Sequence, residues 1–544
     1  MVVHGQYSGN SESYWPRPLT TVLPTRAAMT YYLTTPIYYV NAEPHLGHAY
    51  TTVVADALAR FHRLLGVETR FQTGTDEHGD KVVEAARRAG LPVKEFVDRI
   101  SAQFRQTWDE LDISYDRFIR TTDPDHVQVV QEVLSRVHER GDIYFGEYGG
   151  LYCYDCEAFY LERDLVDGLC PDHRVKPAYL KEENYFFRMS KYQGWLLDYL
   201  HDRPGWIRPE RYRNEVLAFL REPLEDLCIS RPKSRLEWGI TLPFDERYVT
   251  YVWFDALLNY LSGLGYHPGE SCPFEKYQNF WPGHHLIAKD ILKPHAIYWP
   301  TLLAALELPS FQHLNVHGYW QLDAGKMSKS LGNVVEPRAL AARYGVDQVR
   351  YFFLREMVFG LDAHFSQEAL VSRINADLAN DLGNLLARSL GMAFKYRNGV
   401  VPAPGVPDAP DQELILLAQE TADGFLQQFP ALEFTRALAG VWEFIGHLNR
   451  YIVANAPWEL ARQPEAAVRL DTVLYHLLES LRWIAALLRP VMPRSAVRMS
   501  EHLGLGLALW DQPLPRVLQW GRLLPGGSLK TGPPLFPRIE MEAK

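Results

Sequence analysis

The spacing of apolar residues predicts an α/β fold at the start of the 544-residue chain. Residues 30–35 are rich in β-branched and aromatic side chains and predict a buried strand. A helix then opens near His48 and ends at Gly66, because apolar side chains recur there on one helical face. A second strand follows at residues 67–73. Strand, helix and strand in this order predict a Rossmann-type parallel sheet.

The pattern changes twice along the rest of the chain. Residues 145–177 break into short strands and turns, which predicts a module inserted into the α/β domain before its texture resumes at 248–299. The chain is helical in pattern after about Gln367, which predicts an all-α bundle. The predicted helices of this bundle are 369–397, 413–429, 431–455 and 467–488. The predicted division is an extension (1–28), the first half of the α/β domain (29–142), the inserted module (143–240), the second half (241–325), a connector (326–368), the helical domain (369–513) and a tail (514–544).

Composition and charge exclude some classes of protein. Apolar residues make up 47% of the chain, enough for several cores, yet no uninterrupted run is long enough to predict a membrane span. The formal net charge of −10 means that nucleic acid would have to be bound by local basic surface. Residues 1–28 lack the apolar segment of a secretory signal, and a transit peptide, a disordered extension and an early start codon stay open. We expect a cytoplasmic protein.

Three of the five cysteines lie close together and predict a metal site. Cys153 and Cys156 form one pair, and Cys170 and His173 form a second pair thirteen residues later. Paired knuckles of this kind hold tetrahedral zinc through three thiolates and one imidazole. Because four ligands leave no open position, one structural zinc ion is predicted.

Two short motifs are candidates for phosphate binding. His45, Gly47 and His48 stand at a strand-to-helix junction, where a positive helix end favours an anion, although a helix cap would look the same. Lys326 and Lys329 lie in a second motif, with Ser328 between them and glycines on both sides. Such a loop can close on a departing pyrophosphate, although an isolated lysine–serine loop is more often a solvated turn.

Together the two motifs resemble the paired signature of class I aminoacyl-tRNA synthetases, and the neighbouring residues resemble the methionyl-tRNA synthetases. The resemblance covers the chain from Met29 to about Ser500. It implies activation of L-methionine with ATP, with Mg²⁺ accompanying the nucleotide, and transfer to the 3′-terminal adenosine of tRNA(Met). It assigns catalysis to His45, His48, Lys326 and Lys329, and ATP binding to these four residues with Gly47, Asp290 and Ser328.

The resemblance also assigns the amino-acid pocket and the anticodon site. Methionine is expected at Ile37, Tyr39, Asp76, Trp253, Ala256, Leu257, Tyr260, Ile291, Pro294, His295 and Trp299. Aromatic and adaptable surroundings suit a thioether, and Asp76 falls where the family's carboxylate meets the substrate ammonium. Asn384, Arg388 and Trp458 match the positions that read the anticodon, where amide, guanidinium and indole groups suit unpaired bases. Ala288 departs from the family, which has Gly there, and its methyl group could crowd the nucleoside.

Other functions fit these residues less well. The leucyl, isoleucyl and valyl enzymes carry an editing domain for which the span between His48 and Lys326 is too short. A cysteinyl enzyme would place a thiol just ahead of the histidine pair, where Tyr38, Tyr39 and Val40 stand. A small nucleotidylyltransferase would not need a helical half, and a non-catalytic tRNA-binding protein would not need all four motif side chains. We further expect a monomer, because the chain has no room for the oligonucleotide-binding tail that dimerises many family members.

Overall fold

The computed structural model describes residues 30–540 apart from 154–157, 161, 172–173, 268–273, 275–277, 323–324, 327–334 and 507–508. No helix in this described part of the chain combines the length and the hydrophobicity that a bilayer crossing requires. The predictions made for the extension, Cys156, His173, Ser328 and Lys329 therefore concern residues outside this described part.

The first part of the chain alternates strands with helices, as its apolar pattern predicts. Its elements are β1 (Thr30–Tyr39), α1 (Leu46–Leu64), β2 (Glu68–Asp76), α2 (Asp80–Ala89), α3 (Val93–Glu110), β3 (Arg117–Arg120) and α4 (Pro124–Glu139). Helix α1 begins two residues earlier than predicted, because His45 caps its first turn. After α1 the backbone turns at Gly66, where φ is +82° and a residue with a side chain would be strained.

The next part is rich in short strands, as expected for an inserted module. Its elements are β4 (Ile143–Cys153), β5 (Ala158–Tyr160), β6 (Ala178–Phe187), α5 (Gln193–Asp202), β7 (Ile207–Arg208), α6 (Glu210–Phe219), β8 (Leu227–Cys228), β9 (Ser230–Pro232), β10 (Thr241–Leu242) and β11 (Asp245–Thr250). Two small sheets form here, with strand orders β5-β4-β6-β8 and β10-β11-β9. Strand β7 instead joins the edge of the main sheet, beside a strand that follows more than a hundred residues later.

The α/β texture then resumes and leads into a short connector. The elements are α7 (Val252–Leu257), α8 (Asn259–Ser262), β12 (His284–Ala288), α9 (Trp299–Ala305), β13 (His313–His317), β14 (Trp320–Leu322), β15 (Gly325–Lys326), α10 (Pro337–Tyr344), α11 (Val346–Glu356) and β16 (Ala363–Phe365). Strand β14 pairs antiparallel with β15 and parallel with β16. A single-turn π-helix, Pro294–Tyr298, runs directly into α9.

The main sheet has six parallel strands in the order β3-β2-β1-β12-β13-β7. From β1 the chain first moves outward through β2 and β3, and it later returns to the other side of β1 through β12 and β13. The strand order therefore switches between β1 and β12, which is where ligands bind in open α/β sheets. This is the Rossmann-like α/β arrangement that the sequence predicts.

Past the connector, the described chain is helical up to its tail. The elements are α12 (Gln367–Arg373), a π-helix (Ile374–Gly383), α13 (Asn384–Arg397), α14 (Ala409–Gln428), α15 (Phe434–Asn455), α16 (Pro457–Leu460), α17 (Ala467–Leu488), α18 (Pro493–His502) and α19 (Leu514–Val517). The four predicted helices correspond to these within a few residues, except that the first is interrupted by the π-helix.

Apolar side chains form a core on each face of the main sheet. Along β1, Tyr32 points into one core and Leu33 into the other, and Leu286 and Ile287 alternate in the same way along β12. One core continues from α1 through the connector into the helical bundle, where Phe61 lies 5.0 Å from the ring of Phe429. The bundle is therefore packed directly against the helix that begins with the histidine pair.

Candidate active site

A cleft of about 620 Å³ opens at the carboxyl ends of the strands, next to the switch between β1 and β12. Its walls come from the end of β1, the first turn of α1, the end of β2, helices α7 and α8, and the segments after β12 and β13. Most of the predicted catalytic-domain residues line it: Ile37, Tyr39, His45, Gly47, His48, Asp76, Trp253, Ala256, Leu257, Tyr260, Asp290, Ile291 and His295. The fold thus brings the two predicted ligand-binding sets together in one cavity.

The histidine pair forms the start of α1. The Gly47 backbone N–H donates to His45 Nδ1 at 3.1 Å, and the His45 backbone N–H donates to His48 Nδ1 at 3.3 Å, which makes a reciprocal cap. The two rings stack with their centroids 3.6 Å apart. Since each Nδ1 accepts a hydrogen bond, each neutral ring carries its proton on Nε2. Two imidazole N–H donors therefore accompany the positive end of this helix.

Gly47 allows this close arrangement of the two histidines. A Cβ atom at position 47 would lie only 3.1 Å from Cε1 of His45, which is tighter than ordinary contact. The glycine between the two histidines therefore has a steric role as well as its place in the motif.

The opposite wall carries a hydrogen-bonded aromatic pair. The Tyr260 hydroxyl lies 2.6 Å from Nε2 of His295, and Nδ1 of His295 lies 2.9 Å from the carbonyl of Ile291. A carbonyl only accepts, so Nδ1 carries the proton and Nε2 accepts from Tyr260. Burial lowers the pKa of His295 to about 4, so this ring is neutral near pH 7. Trp253 meets His295 edge to face, 6.2 Å away between centroids.

Two residues of the predicted methionine set do not line the cleft. Pro294 and Trp299 are buried but are not among the side chains that line the cleft. Trp299 packs against Tyr260 and donates from Nε1 to Nε2 of His285 at 3.1 Å. The His285 ring in turn donates from Nδ1 to the Thr34 hydroxyl, 2.8 Å away. Trp299 therefore supports the wall from a second layer.

Another wall of the cleft is formed by Ala288, the last residue of β12, and by the turn that follows it. Ala288 and Asp290 both line the cavity, so the methyl group that departs from the family pattern stands on its wall. Lys289 points away and forms an ion pair of 2.7 Å with Asp362, which precedes β16 in the connector. Asp362 also accepts from the Tyr319 backbone N–H at 2.8 Å. The connector is thereby attached to the rim of the cleft.

The root of the lysine loop adjoins the same cleft. Tyr319 and Trp320 line the cavity, and Trp320 begins β14, which pairs with the strand that ends at Lys326. The remaining motif residues Ser328 and Lys329 lie outside the described part of the chain. Within the described residues, the cavity is therefore lined by the histidine motif and by the strand that pairs with the start of the lysine motif.

Some cleft residues were not singled out from the sequence. His317, the last residue of β13, accepts from the Thr51 hydroxyl at 2.7 Å and donates to the carbonyl of Gly318 at 2.7 Å. Burial lowers its pKa to about 4. Lys81, in the first turn of α2, also lines the cavity. The signal for His317 was present, because a polar residue that follows a buried strand lies at the ligand edge of a parallel sheet.

The predicted metal ligands are described only in part. Cys153 ends β4 and Cys170 follows the next turn, and their side chains are 1% and 0% exposed. The Arg174 N–H donates to the Cys170 carbonyl at 2.9 Å, and Arg174 has a φ of +56°. In the part of the chain that the structure describes, Cys153 and Cys170 therefore represent one predicted ligand of each knuckle, and both are buried.

The predicted anticodon residues lie on the surface of the helical region. Asn384 begins α13, directly after the π-helix, and Arg388 lies one turn further on. Asn384 is exposed and Arg388 is half-buried. The Trp458 side chain is 39% exposed on α16, which follows a turn at Ala456 with a φ of +40°. All three side chains are accessible to a macromolecule.

Two family models match the chain. The first, described as class I tRNA synthetases (M), matches residues 31–180 and 173–390. The second, described as the anticodon binding domain of methionyl tRNA ligase, matches residues 401–544. Together they cover the α/β domain, the connector and the helical region.

Curated proteins and solved structures resemble the chain over most of its length. The methionine–tRNA ligase of Caldanaerobacter subterraneus subsp. tengcongensis is 48% identical over 516 residues, which are 94% of this chain and 79% of that protein. The Bacillus subtilis enzyme of the same name is 43% identical over 530 residues, with 94% and 78% covered. The structure of Mycobacterium tuberculosis methionyl-tRNA synthetase in complex with methionyl-adenylate superposes with a TM-score of 0.88 at 42% identity, covering 94% of this chain and all of that one.

Proposed function

Since the chain belongs to the methionyl-tRNA synthetases, class I enzymes that act as methionine–tRNA ligases, we propose that methionine and ATP react in the cleft at the strand switch. One observation carries this proposal. The histidine-capped start of α1 and the Tyr260–His295 pair line the same cavity. Groups suited to bind phosphate and groups suited to bind an uncharged side chain therefore line one cavity of about 620 Å³.

In the proposed first step, a methionine carboxylate oxygen attacks the α-phosphorus of ATP. A new P–O bond forms, the bond from the α-phosphorus to the bridging oxygen breaks, and pyrophosphate leaves with the bonding electrons. His45 and His48 donate from Nε2 to phosphate oxygens, and the start of α1 adds its dipole. Lys326, Ser328 and Lys329 close over the leaving pyrophosphate, and Asp290 accepts from the ribose hydroxyls. Mg²⁺ accompanies the nucleotide and screens its phosphate charge.

Methionine is proposed to lie between Asp76 and the aromatic wall. The Asp76 carboxylate, at the end of β2, pairs with the substrate ammonium. The thioether side chain contacts Ile37, Tyr39, Trp253, Ala256, Leu257, Tyr260, Ile291 and His295, with Pro294 and Trp299 supporting these from behind. Because His295 is neutral near pH 7, this part of the pocket holds no charge that a thioether would have to desolvate.

The second step transfers the methionyl group to tRNA(Met). A hydroxyl of the terminal adenosine attacks the carbonyl carbon of the adenylate, and AMP leaves. We propose that Asn384, Arg388 and Trp458 contact the anticodon, because they match the family's reading positions by motif and their side chains are accessible. The half-exposed indole of Trp458 offers a stacking surface for an unpaired base.

One zinc ion is proposed to fold the inserted module. Cys153, Cys156, Cys170 and His173 would hold it, and the buried thiols of Cys153 and Cys170 support this assignment. A closed set of four ligands supplies folding stability and no chemistry. Elemental analysis of the purified protein should find one zinc per chain, and Cys153→Ser should lose it.

A monomer that acts in the cytoplasm stays our prediction. Sedimentation at several protein concentrations should give the mass of one chain. A dimer whose mass does not change with dilution would contradict it.

The test of the proposed pocket is methionine-dependent exchange of pyrophosphate into ATP. Ala256 is 5% exposed and lines the cleft between Trp253 and Tyr260. Replacing it with Val adds two methyl groups and should raise the KM for methionine about tenfold, a cost of about 1.4 kcal/mol, while the KM for ATP stays unchanged. Ala102→Val, at an exposed position of α3, is the matched control. An unchanged KM for methionine in the Ala256 variant would refute the pocket.

A further inference from the structure

A buried carboxylate behind the cleft joins three elements. Asp255 in α7 is fully buried, and its two oxygens each lie 2.7 Å from an imidazole nitrogen. Nδ1 of His78, in the loop after β2, contacts Oδ2, and Nε2 of His126, in α4, contacts Oδ1. His126 Nδ1 also lies 2.8 Å from the Ser262 hydroxyl in α8. One carboxylate therefore ties a loop and a second helix to α7.

The two sides of α7 have different surroundings. Asp255 faces inward, whereas its neighbours Trp253 and Ala256 line the cleft. The short helix thus carries the wall of the proposed side-chain pocket on one face and the carboxylate on the other. A shift of Asp255 relative to His78 would move that wall.

The loop held by His78 directly follows Asp76, the last residue of β2. Between them, the buried Glu77 accepts from Arg120 Nε at 2.7 Å and from Arg120 Nη2 at 2.8 Å. The backbone carbonyl of Glu77 accepts from Trp238 Nε1 at 2.6 Å. Glu77 therefore anchors the loop to the rest of the sheet, and His78 anchors it to α7.

The charge of Asp255 suits this linkage. Burial raises the pKa of its carboxyl, but the positive potential and hydrogen bonds of His78 and His126 outweigh that effect and hold the pKa below its ordinary value. An ionised carboxylate accepts from both rings at once. An asparagine has the same shape but accepts through one atom only, so one imidazole would have to become the acceptor instead.

We propose that Asp255 is a positioning residue that sets the distance between the ammonium site at Asp76 and the side-chain pocket formed by Trp253 and Ala256. It thereby selects amino acids of the length of methionine. This inference rests on the proposed methionine site. Asp255 does not itself touch substrate, since it acts through His78 on one side and through its own helix on the other.

The test is Asp255→Asn, with methionine, homocysteine and ATP kinetics measured by pyrophosphate exchange. Homocysteine lacks only the terminal methyl group, so it reports on the distance along the side chain. We expect the KM for methionine to rise about tenfold and the preference for methionine over homocysteine to fall by a similar factor, equivalent to about 1.4 kcal/mol. The KM for ATP should change less than about twofold. A general loss of stability would lower activity with both amino acids equally and leave their ratio unchanged.

Two further variants separate positioning from folding. Asp142→Asn removes another buried carboxylate, which accepts from Lys191 at 2.6 Å and from Tyr192 at 2.7 Å, away from the cleft. It should keep the wild-type ratio of methionine to homocysteine. His78→Ala removes the Nδ1 donor and so breaks the same link from the loop side, where the side chain is 8% exposed, and should reproduce the altered ratio. The His78 variant also tests the proposal if Asp255→Asn does not fold.

An unchanged ratio of methionine to homocysteine in folded Asp255→Asn, or in His78→Ala where the Asp255 variant does not fold, would overturn the proposal. Equal rises in the KM for methionine and for ATP would overturn it as well. The Ala256→Val variant distinguishes this failure from failure of the pocket itself. If Ala256→Val raises the KM for methionine and Asp255→Asn leaves the ratio unchanged, the pocket stands and the positioning role does not.

Discussion

At the scale of single residues, the imidazoles of the cleft divide into two groups by the contact that each Nδ1 makes. In His45 and His48, Nδ1 accepts from a backbone N–H, so Nε2 carries the proton and donates. In His295 and His317, Nδ1 donates to a backbone carbonyl, so Nε2 accepts from a hydroxyl. Local backbone geometry thus gives histidine two opposite roles in the cleft. His45 and His48 offer Nε2 donors to an anion, whereas His295 and His317 use Nε2 to accept from a neighbouring hydroxyl.

The donor role predicts how His48 responds to substitution. In His48→Asn, the amide oxygen replaces Nδ1 as the acceptor of the cap while the Nε2 donor is lost. We expect kcat for pyrophosphate exchange to fall about 10²- to 10³-fold, as for loss of one transition-state donor, with little change in the KM for methionine.

His48→Gln is the matched control for this substitution. Its amide nitrogen reaches the place of Nε2, so it should retain much more activity than the Asn variant. Equal activity in the two variants would contradict the donor role. Binding of tRNA(Met), measured by filter retention, should persist in both.

The acceptor role predicts the effect of removing the Tyr260 hydroxyl. Tyr260→Phe leaves Nε2 of His295 buried without its donor, which costs about 1–3 kcal/mol. We expect the KM for methionine to rise about five- to 100-fold, with the KM for ATP unchanged. Tyr298→Phe removes a hydroxyl outside the cleft on the same segment and should leave both constants unchanged.

At the scale of elements, the short hairpin β14–β15 lies between the cleft, which Trp320 lines, and the lysine motif, which begins at Lys326. Asp362 holds this hairpin through the Tyr319 N–H and through Gln321 Nε2, 3.1 Å away. It also pairs with Lys289, directly beside Asp290. The position of Lys326, at the end of this hairpin, therefore depends on a contact between the connector and the sheet domain.

This contact predicts a catalytic effect without a large loss of stability. Asp362→Asn removes the charge that holds Lys289, while the two side chains are 30% and 27% exposed. A pair of this exposure contributes about 0.2–1 kcal/mol to folding. We expect kcat for pyrophosphate exchange to fall several-fold with the KM for methionine unchanged, measured by steady-state kinetics.

The matched control is Glu356→Gln. Glu356 pairs with Arg373 at 2.8 Å, and those side chains are 30% and 29% exposed. It should lose a similar amount of stability in urea and keep its activity. Loss of activity in both variants would show that the effect is not specific to the hairpin.

At the scale of the whole molecule, the α/β domain, the connector and the bundle share a buried junction. Arg350 of α11 is fully buried and pairs with Asp56 of α1 at 2.6 Å. Its guanidinium also donates to the carbonyls of Leu111, Pro490 and Val491, which lie in the sheet domain and at the turn before α18. Because one side chain satisfies groups from all three parts, their relative placement is specified by hydrogen bonds as well as by the shared core.

The buried histidines predict how stability of the molecule depends on pH. Burial lowers the pKa of His62, His295 and His317 to about 4, whereas the unfolded rings titrate near 6.5. Between these values the unfolded chain binds more protons, so stability is fully present above about pH 6.5 and is lost as the pH falls toward 4. Each such ring contributes a decline of up to about 1.4 kcal/mol per pH unit.

Urea unfolding at pH 7, 6 and 5 checks this expectation. The midpoint should fall at each step, and the free energy of unfolding should fall by several kcal/mol over the two units. The buried carboxylates whose pKa is lowered, such as Asp56, do not contribute here, because their effect begins near pH 4 and below. A midpoint that stays constant from pH 7 to pH 5 would contradict the neutral state of the buried rings.

The sequence by itself determined the features that depend on neighbours along the chain. Apolar periodicity predicted β1, α1 and β2 and the helical half. This works because the residues on the buried face of a helix or a strand recur at the spacing typical of that element. The histidine motif, the lysine motif and the resemblance to the methionyl enzymes needed only short stretches. The π-helix before Asn384 was not predicted, because one local irregularity leaves the apolar pattern helical.

Only the tertiary structure decided which residues share a layer. Trp299 packs behind Tyr260 and is not among the residues that line the cleft, because the packing of α9 against β12 determines its depth. His317 lies in the cleft because β13 ends there. Asp255 meets His78 and His126 across 177 and 129 residues of sequence, a contact that the order of strands in the sheet creates. Such contacts arise from topology, and no local pattern in the chain encodes them.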